Sequence, residues 1–401
     1  MLSTDVVVAG GGVAGLLIAS ALAPEVEVVL LEESDSLPRN KFWLTDEKAA
    51  KENGQFEACI DTTYGFLDFI AYDGLTATIP GRYCLWDTDK LVERLAEELC
   101  IHGVKILTGH RFYSFSPTRD GIVLRANSHQ IKTRLFVDCM GFGSPLVGAK
   151  NVATIIGYYI LHGREVEIRG ALRPVALDNV IIDRKPAFFE LFPSSKGTAH
   201  AAMILPSRQH KAERSITAEL SFILNKSHYA QHILSEPSHD KKSYFGIVPV
   251  GRLHEPALDR IVFFGESGQS NPAASATGLT RMLRTYRHLA NSLKECLKKD
   301  TLGRNHLLRA IPQAMTRMNR LFQESVFESL LSFNSDDFRR LVRDLRDYPH
   351  STINEFLFAE FDFKTRATLG LALDAFRRKG SVLGRNVLKS IARICISKPS
   401  R

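Results

Sequence analysis

The feature that most constrains the fold is a glycine motif that directly follows an apolar run near the start of the chain. Val6–Ala9 is followed by residues 10–15, Gly-Gly-Gly-Val-Ala-Gly, which have the spacing G-x-G-x-x-G. Between a strand and a helix, these glycines permit a tight turn, backbone approach to a pyrophosphate and close helix packing. The helix N-terminus offers free N–H groups and a positive dipole end to phosphates. The predicted ligand contacts here are Gly10, Gly12, Val13, Ala14 and Gly15.

The next apolar run, Val26–Leu31, ends at an acidic residue. Glu32 lies 22 residues after Gly10, close to the spacing of an acid that bonds a ribose hydroxyl. Glu33 adjoins it, so the sequence leaves open which of the two carboxylates meets the ribose. This unit predicts a dinucleotide site but does not distinguish FAD from NAD.

A second glycine motif lies far along the chain, after the apolar run Arg260–Phe264. It comprises Gly265-Glu266 and the segment from Asn271 to Leu279. In such a returning segment the acid bonds a ribityl chain, and the following helix N-terminus stabilises the negative charge of a reduced flavin. An NAD enzyme has no need of it, so the two motifs together predict FAD. The predicted contacts of the second motif are Gly265, Glu266, Pro272, Thr277, Gly278 and Leu279.

Three blocks in this order resemble the FAD enzymes of the para-hydroxybenzoate-hydroxylase type. They are residues 10–15 with Glu32, the block Asp138–Ser144, and the segment from Gly265 to Gly278. The resemblance implies a further cofactor contact at Gly141. Arg82, ahead of a predicted helix, resembles that family's second cofactor segment.

Within this group the chain is most similar to the lycopene cyclases and their geranylgeranyl-reductase relatives. The similarity is carried by Thr277–Arg281 and by a Phe-rich tail that includes residues 356–358. It implies an FAD-dependent oxidoreductase or cyclase that acts on a hydrophobic polyene or isoprenoid by cyclase, reductase or desaturase chemistry. NAD(P)H is then expected as a transient reductant. The alternative is a flavin monooxygenase or halogenase acting on a small or carrier-bound aromatic, because those enzymes share the architecture.

The chain departs from the cyclase pattern at the catalytic acid. Lycopene cyclases carry a Phe-Leu-Glu-Glu-Thr-like strand whose Glu protonates the polyene, but the matching stretch here, Ala199–Leu205, has no carboxylate. Glu190 is the candidate displaced acid, since a carboxyl among phenylalanines would have a raised pKa. Strand alternation favours the opposite arrangement, in which Phe189 and Leu191 face the core and Glu190 faces solvent.

The predicted fold class is α/β, a Rossmann-type FAD-binding domain with an inserted antiparallel-sheet substrate domain and a C-terminal helical region. Residues 1–150 and 251–300 are assigned to the FAD-binding domain, 151–250 to the substrate domain, and 301–401 to the helical region. Residues 39–81 are predicted to be loop-rich and to contribute partly to the substrate side, where Phe42 and Trp43 could line a cavity.

Several local elements are also predicted. Residues 87–103 and 213–234 have helical patterns, a long helix is expected over 272–298, and Ser335 is expected to cap another helix. Arg281, Arg284 and Arg287 share one stripe of the long helix. They are expected to face solvent, and contact with a phosphate or an interface is the alternative.

Composition limits the partners. The chain has 401 residues and a formal charge of +8, and from Lys364 to the end there are ten Lys or Arg and one acid. Without aromatic-basic interleaving, nucleic-acid binding is not expected; contact with an anionic membrane surface and a simply solvated tail both remain open. No metal site is expected, because the cysteines and histidines lack ligand spacing. A first strand beginning by Thr4 predicts a cytoplasmic protein with no leader and, if the tail binds headgroups, peripheral membrane association.

Overall fold

The computed structural model describes residues 1–39, 41–127, 129–149, 152–182, 185–211, 215–234, 243–269, 271–312 and 317–358, with residues 382, 385–386 and 389–390. The strands of this part of the chain form two sheets. They are β1 Leu2–Ala9, β2 Val28–Leu31, β3 Leu44–Asp46, β4 Ile60–Ile70, β5 Thr76–Trp86, β6 Lys105–Leu107, β7 Phe112–Pro117, β8 Ile122–Ala126, β9 His129–Asp138, β10 Ala153–Glu167, β11 Val175–Ile182, β12 Lys185–Pro193, β13 Thr198–Ser207, β14 Ser243–Leu253, β15 Ala257–Leu258 and β16 Ile261–Phe263.

The helices pack around these sheets, together with 3₁₀ turns at Gly54–Cys59, Gly141–Gly143 and His228–His232. They are α1 Val13–Leu22, α2 Glu47–Lys51, α3 Thr88–Ile101, α4 Pro145–Ala149, α5 Ile216–Lys226, α6 Gly278–Lys298, α7 Arg304–Ala310, α8 Arg317–Leu330, α9 Ser335–Asp347 and α10 His350–Leu357.

The first sheet has the strand order β15-β16-β9-β1-β2-β6, with the β7–β8 hairpin joined to β9. β16, β9, β1, β2 and β6 run parallel. Val6, Val7 and Val8 of β1 are fully buried because α1, α3 and α6 cover one face of the sheet and the hairpin side covers the other. A central parallel strand covered on both faces explains the continuous apolar run.

The second sheet has the order β14-β10-β13-β12-β11-β4-β5-β3, antiparallel except where β11 meets β4. The predicted α/β fold with an antiparallel sheet and C-terminal helices is confirmed. The prediction of a loop-rich 39–81 segment is wrong, because β4 and most of β5 lie in it. Gly65, Pro80 and Gly81 look like turn signals, but the pairing of β4 with β5 shifts register between Tyr64 and Phe66, which keeps the strands continuous.

The two faces of the second sheet are covered by different elements. On one face Phe189, Leu191 and Met203 pack against α5, which is shorter than the predicted 213–234 helix and is followed by a 3₁₀ turn. The other face is covered in part by the C-terminal helices, including Phe338 of α9 and Phe356 of α10. Both faces of this sheet are therefore shielded.

Two helix starts differ from the prediction. α6 begins at Gly278 and not at Pro272, because Ala276 has a left-handed backbone (φ +53°) that interrupts a right-handed helix. α9 is capped by Asn334 and not by Ser335: the Asn334 side chain accepts from the Asp337 N–H, and Asp337 returns the bond as a capping box. The predicted 87–103 helix is confirmed as α3, with Asp87 as its cap.

Candidate active site

The first glycine loop is shaped by close backbone contacts. Gly10 has φ +105°, and a Cβ there would lie 2.4 Å from the Cys139 carbonyl oxygen; a Cβ on Gly15 would lie 1.9 Å from the Gly10 oxygen. Both positions therefore require glycine. Nothing lies within 4 Å of a Cβ built on Gly12, which immediately precedes Val13 and Ala14 in the first turn of α1. This helix N-terminus thus has open room beside its free N–H groups.

The two neighbouring acids after β2 point in different directions. The Glu32 carboxylate is buried and accepts hydrogen bonds from the N–H of Gly11 at 2.7 Å and of Ser34 at 2.9 Å. The Glu33 side chain is 67% exposed and lies 3.7 Å from Arg111. Of the two predicted acids, it is Glu32 that faces the glycine loop.

The second glycine motif meets the first. A Cβ built on Gly265 would lie 2.5 Å from the Ala14 Cβ, and one on Gly141 would lie 3.1 Å from Glu266 Oε2. Because β1, β9 and β16 are parallel neighbours, the loops that follow them leave the same edge of the sheet. Ligands bind at this carboxyl edge in doubly wound sheets.

Asp138, at the end of β9, ties these loops together. Its carboxylate accepts from Ser144 Oγ at 2.5 Å and from the Met140 N–H at 3.0 Å, and its carbonyl oxygen accepts from Ser267 Oγ at 2.7 Å. Burial raises the pKa of Asp138 to about 6. The Asp138 carboxyl therefore fixes the Gly141 turn, and its main-chain carbonyl holds the Glu266 loop.

The glycine loop at residues 10–15, the Gly141 turn and the segments 265–266 and 271–279 together form a cradle at this edge of the sheet. The loop ahead of α6 is its far side. Gly278 lies against the Asn271 side chain, whose amide nitrogen is buried without a hydrogen-bond partner among the described residues. Thr277 Oγ1 donates to the Leu357 carbonyl at 2.8 Å, and Leu279 is buried. Pro272 accepts, through its carbonyl, the N–H of Ala276. The N-terminus of α1 has open room at Gly12, and the N-terminus of α6 lies beside the unpartnered amide of Asn271. An extended dinucleotide that reaches from one helix to the other fits this arrangement.

Arg82 lies elsewhere. It is on β5 in the second sheet, 68% exposed, and pairs with Glu47 at 2.7 Å. Its proposed cofactor contact remains a prediction.

An apolar cavity of about 290 Å³ lies between the second sheet, the 271–279 loop and the C-terminal helices. At one end it touches Glu266 and Gly278 of the cradle, and Phe42 and Trp43 line it as well. Most of its other lining side chains are aliphatic or aromatic and come from β4, β10, β12, β14 and helices α8 to α10. The cradle therefore opens directly into a pocket suited to a hydrophobic molecule.

Glu190 lies in the wall of this cavity. It is the cross-strand partner of Ala202, so both positions face the same side of the sheet. Burial among apolar side chains raises the Glu190 pKa to about 8. The expectation that Glu190 faces solvent is wrong, although Phe189 and Leu191 do face a core, because the second face of this sheet is covered too.

The expectation that the arginine stripe of α6 faces solvent is also wrong for two of its members. Arg281 is buried, and desolvation lowers its pKa to about 10. Arg284 is mostly buried and pairs with Asp46, the cap of α2. Helix α6 is covered on this side by α2 and lies near Arg320 of α8, which sequence periodicity alone does not reveal.

The described ranges contain no cluster of three or more His, Cys, Asp or Glu that could hold a metal ion. In that same part of the chain, no helix is both long and apolar enough to cross a membrane. The basic segment from Lys364 onward lies outside the described residues, apart from positions 382, 385–386, 389 and 390.

Comparison with known proteins agrees with this architecture. Residues 5–197 match the family model described as lycopene cyclase protein. No curated protein gives a significant match.

Solved structures share the fold at low sequence identity. A geranylgeranyl bacteriochlorophyll reductase-like protein from Thermoplasma acidophilum superposes with a TM-score of 0.70 at 14% identity, covering 98% of this chain and 96% of that one. A flavoprotein/dehydrogenase from Cytophaga hutchinsonii gives 0.68 at 13% identity, over 97% and 100% of the two chains. A mutant of halogenase PltM in complex with FAD gives 0.66 at 12% identity, over 97% and 95%.

These comparisons confirm the resemblance predicted from the sequence. The chain has the fold of FAD-dependent flavoenzymes, and its residues 5–197 match the lycopene cyclase family.

Proposed function

We propose that this protein is an FAD-dependent enzyme that acts on a hydrophobic polyene or isoprenoid, and that its chemistry is cyclisation started by a carboxylic acid. The observation that carries the proposal is the position of Glu190. It lies in an apolar cavity, beside Ala202 in the strand where the resemblance expects a carboxylate, with its pKa raised to about 8. An acid of that pKa is protonated at neutral pH and can donate.

The cavity supports the substrate class. Its walls are mainly aliphatic and aromatic, with Phe245 of the edge strand β14 among the lining residues. A long polyene can place one end beside Glu190 while the remainder lies along these apolar walls. A small polar substrate would leave these apolar walls unmatched.

The cradle supports FAD as the cofactor. Gly12, Val13 and Ala14 would bind the pyrophosphate, Glu32 the adenosine ribose, and Glu266 the ribityl chain. Three segments, at Gly141, at Gly265 and at Pro272–Leu279, would lie along the remaining length of the cofactor. Bound there, a flavin supplies hydride in a reductase and, in reduced form, negative charge next to a carbocation in a cyclase. We propose NAD(P)H as the transient reductant.

The proposed reaction is redox-neutral. The proton of the Glu190 carboxyl moves to a terminal alkene carbon, whose π pair forms the new C–H bond and leaves a carbocation. The π pair of a second alkene closes the ring, and a proton is lost from a carbon next to the new cation. The Glu190 carboxylate accepts a proton again, so the acid is regenerated.

Product analysis by mass spectrometry in a host that makes lycopene and related isoprenoids tests the proposal. We expect products of unchanged mass with new rings from the wild-type protein and none from Glu190→Gln. Glu97→Gln, an isosteric change at an exposed position of α3, is the matched control and should behave as wild type. Cyclised product from Glu190→Gln would eliminate Glu190 as the donor.

The same experiment distinguishes the alternative that the fold permits, since a halogenase shares it. A gain of oxygen or halogen, with NAD(P)H oxidation that consumes oxygen stoichiometrically, would identify a monooxygenase or halogenase. A gain of two hydrogens would identify a reductase, and a loss of two a desaturase. Any of these changes in product mass would overturn the proposal of cyclisation.

We further propose that the basic C-terminal segment contacts anionic headgroups where the substrate dissolves. Co-flotation with vesicles containing phosphatidylserine, but not with neutral vesicles, is the expected result. A protein with Lys389→Gln, Lys398→Gln and Arg401→Gln that floats equally well would contradict it.

A further inference from the structure

Four positions form a continuous row across the cavity face of the second sheet. Glu190 of β12 pairs with Ala202 of β13, Ala202 pairs with Gly163 of β10, and Gly163 pairs with Tyr244 of β14. Directly paired residues of antiparallel strands point to the same face. The row therefore begins with a carboxyl, ends with a phenol, and has the two smallest residue types between them.

The Tyr244 ring lies across the middle of this row. A Cβ built on Gly163 would be 2.2 Å from Tyr244 Cζ and 2.3 Å from its hydroxyl oxygen. The ring thus leaves β14, covers β10 and points its hydroxyl toward Ala202 and Glu190. Phe42 holds it from the side in an edge contact, with ring centroids 5.3 Å apart.

The hydroxyl of Tyr244 has no hydrogen-bond partner among the described residues, although the residue is only 5% exposed. A buried hydroxyl without a partner is unfavourable in a folded protein, so a group that can accept from it is expected nearby. Burial raises the pKa of Tyr244, and the charges of Glu190 and of Glu165 on β10 raise it further. Glu190 also acts on the buried Tyr159 of β10, whose hydroxyl already donates to the Ala274 carbonyl. Adjacent strands are about 4.8 Å apart, and the small side chain of Ala202 leaves a slot between them.

We propose that Tyr244 is the positioning residue of the acid site: the phenol donates a hydrogen bond to the Glu190 carboxylate across Ala202 whenever that carboxyl is ionised, and the reacting end of the substrate lies on the cavity side of this pair, against Glu190. This inference rests on the proposed function. Tyr244 keeps its proton throughout; the only proton transferred is that of Glu190. Stabilising the carboxylate makes Glu190 a stronger acid toward a weakly basic alkene.

The test is Tyr244→Phe, assayed for polyene turnover across pH. Hydrogen bonds to charged groups are the strong ones, so we expect kcat/KM to fall about tenfold to one-hundredfold. Activity requires protonated Glu190, so it declines as pH rises through the Glu190 pKa. Removing the donor raises that pKa, and the alkaline decline should move upward by about one pH unit or more.

Tyr229→Phe is the matched control. Tyr229 is equally buried, lies on the opposite face of the sheet and donates to Asp178. Its loss should lower thermal stability and leave the alkaline decline where it was.

The outcomes separate the two proposals. Absence of polyene turnover by the wild-type protein would refute the proposed function. Active wild type and inactive Glu190→Gln, together with an unmoved alkaline decline in folded, flavin-loaded Tyr244→Phe, would refute the role of Tyr244 alone.

Discussion

The cofactor cradle and the cavity beside it are built in different ways. The cradle is a backbone structure: Gly10, Gly15 and Gly265 are required because neighbouring main-chain or Cβ atoms leave no room for a side chain. The cavity is a side-chain structure whose acid, Glu190, is defined by its pairing with a residue on another strand. A backbone site leaves a fixed spacing in the sequence, whereas a site made from strand register does not.

The cradle and the cavity also favour different charge states of their carboxyl groups. At the cradle, Glu32 is held by two backbone N–H groups, while Glu190 gains a raised pKa from an apolar wall. Hydrogen bonds stabilise an ionised carboxylate and burial disfavours it. The first environment suits binding, and the second suits proton donation.

Alanine substitutions at two glycines of one loop should differ most in their effects on stability and flavin content. Gly15→Ala places a methyl group 1.9 Å from a backbone oxygen, so we expect loss of about 1–3 kcal/mol in the free energy of unfolding and no bound flavin. Gly12→Ala meets nothing within 4 Å and should keep wild-type stability while flavin binding falls. Thermal unfolding and flavin absorbance measure the two effects. A Gly12→Ala protein with full flavin content would show that the pyrophosphate does not pass there.

Relocating the acid is the next test. Glu190→Gln should lower turnover about 10²–10⁴-fold, the range of a lost general acid. Adding Ala202→Glu returns a carboxyl to the same face one strand away, about 4.8 Å distant. We expect the double variant to recover part of the activity, measured as cyclised product per enzyme. Equal inactivity of the two proteins, both folded and flavin-loaded, would show that the carboxyl must stand on β12.

Stability should depend on pH through the same group. Glu190 has a folded pKa of about 8 against an ordinary value of 4.5, so the folded state holds a proton that the unfolded state has released. Its stabilising contribution is complete below pH 4.5 and is lost as pH rises toward 8, with a slope of at most about 1.4 kcal/mol per pH unit. Asp138 contributes similarly only up to about pH 6.

Urea unfolding between pH 6.5 and 8 measures this effect. The wild-type free energy of unfolding should decline relative to Glu190→Gln across that window. Parallel curves for the two proteins would mean that Glu190 is ionised in the folded state.

The smallest expected effect is a difference in flavin affinity between substitutions of the adjacent acids Glu32 and Glu33. Glu32→Gln should weaken flavin binding about tenfold, because the carboxylate that accepts from the Gly11 N–H is weakened as an acceptor. Glu33→Gln removes only an exposed contact to Arg111, so affinity and stability should change by no more than about 0.5 kcal/mol. Flavin titration followed by fluorescence measures both. A larger loss for Glu33→Gln would assign the ribose to Glu33.

Much of the first sheet follows from local sequence. The run before Gly10, the helix after it and the acid at Glu32 are consecutive, so spacing alone predicts their arrangement. The cavity position of the half-buried Glu190, the burial of Arg281 and the strands within 39–81 did not follow. Each depends on an element distant in sequence: α8 to α10, α2, or a partner strand. Alternation predicts that Glu190 and Phe189 face opposite sides, but not what covers each side.

The sequence by itself determined that a dinucleotide-binding unit and a returning glycine segment exist, because close backbone packing tolerates only glycine at fixed positions. Only the tertiary structure decided where the acid lies, because strand register sets Glu190 beside Ala202 and the C-terminal helices partly cover the face on which these two residues lie.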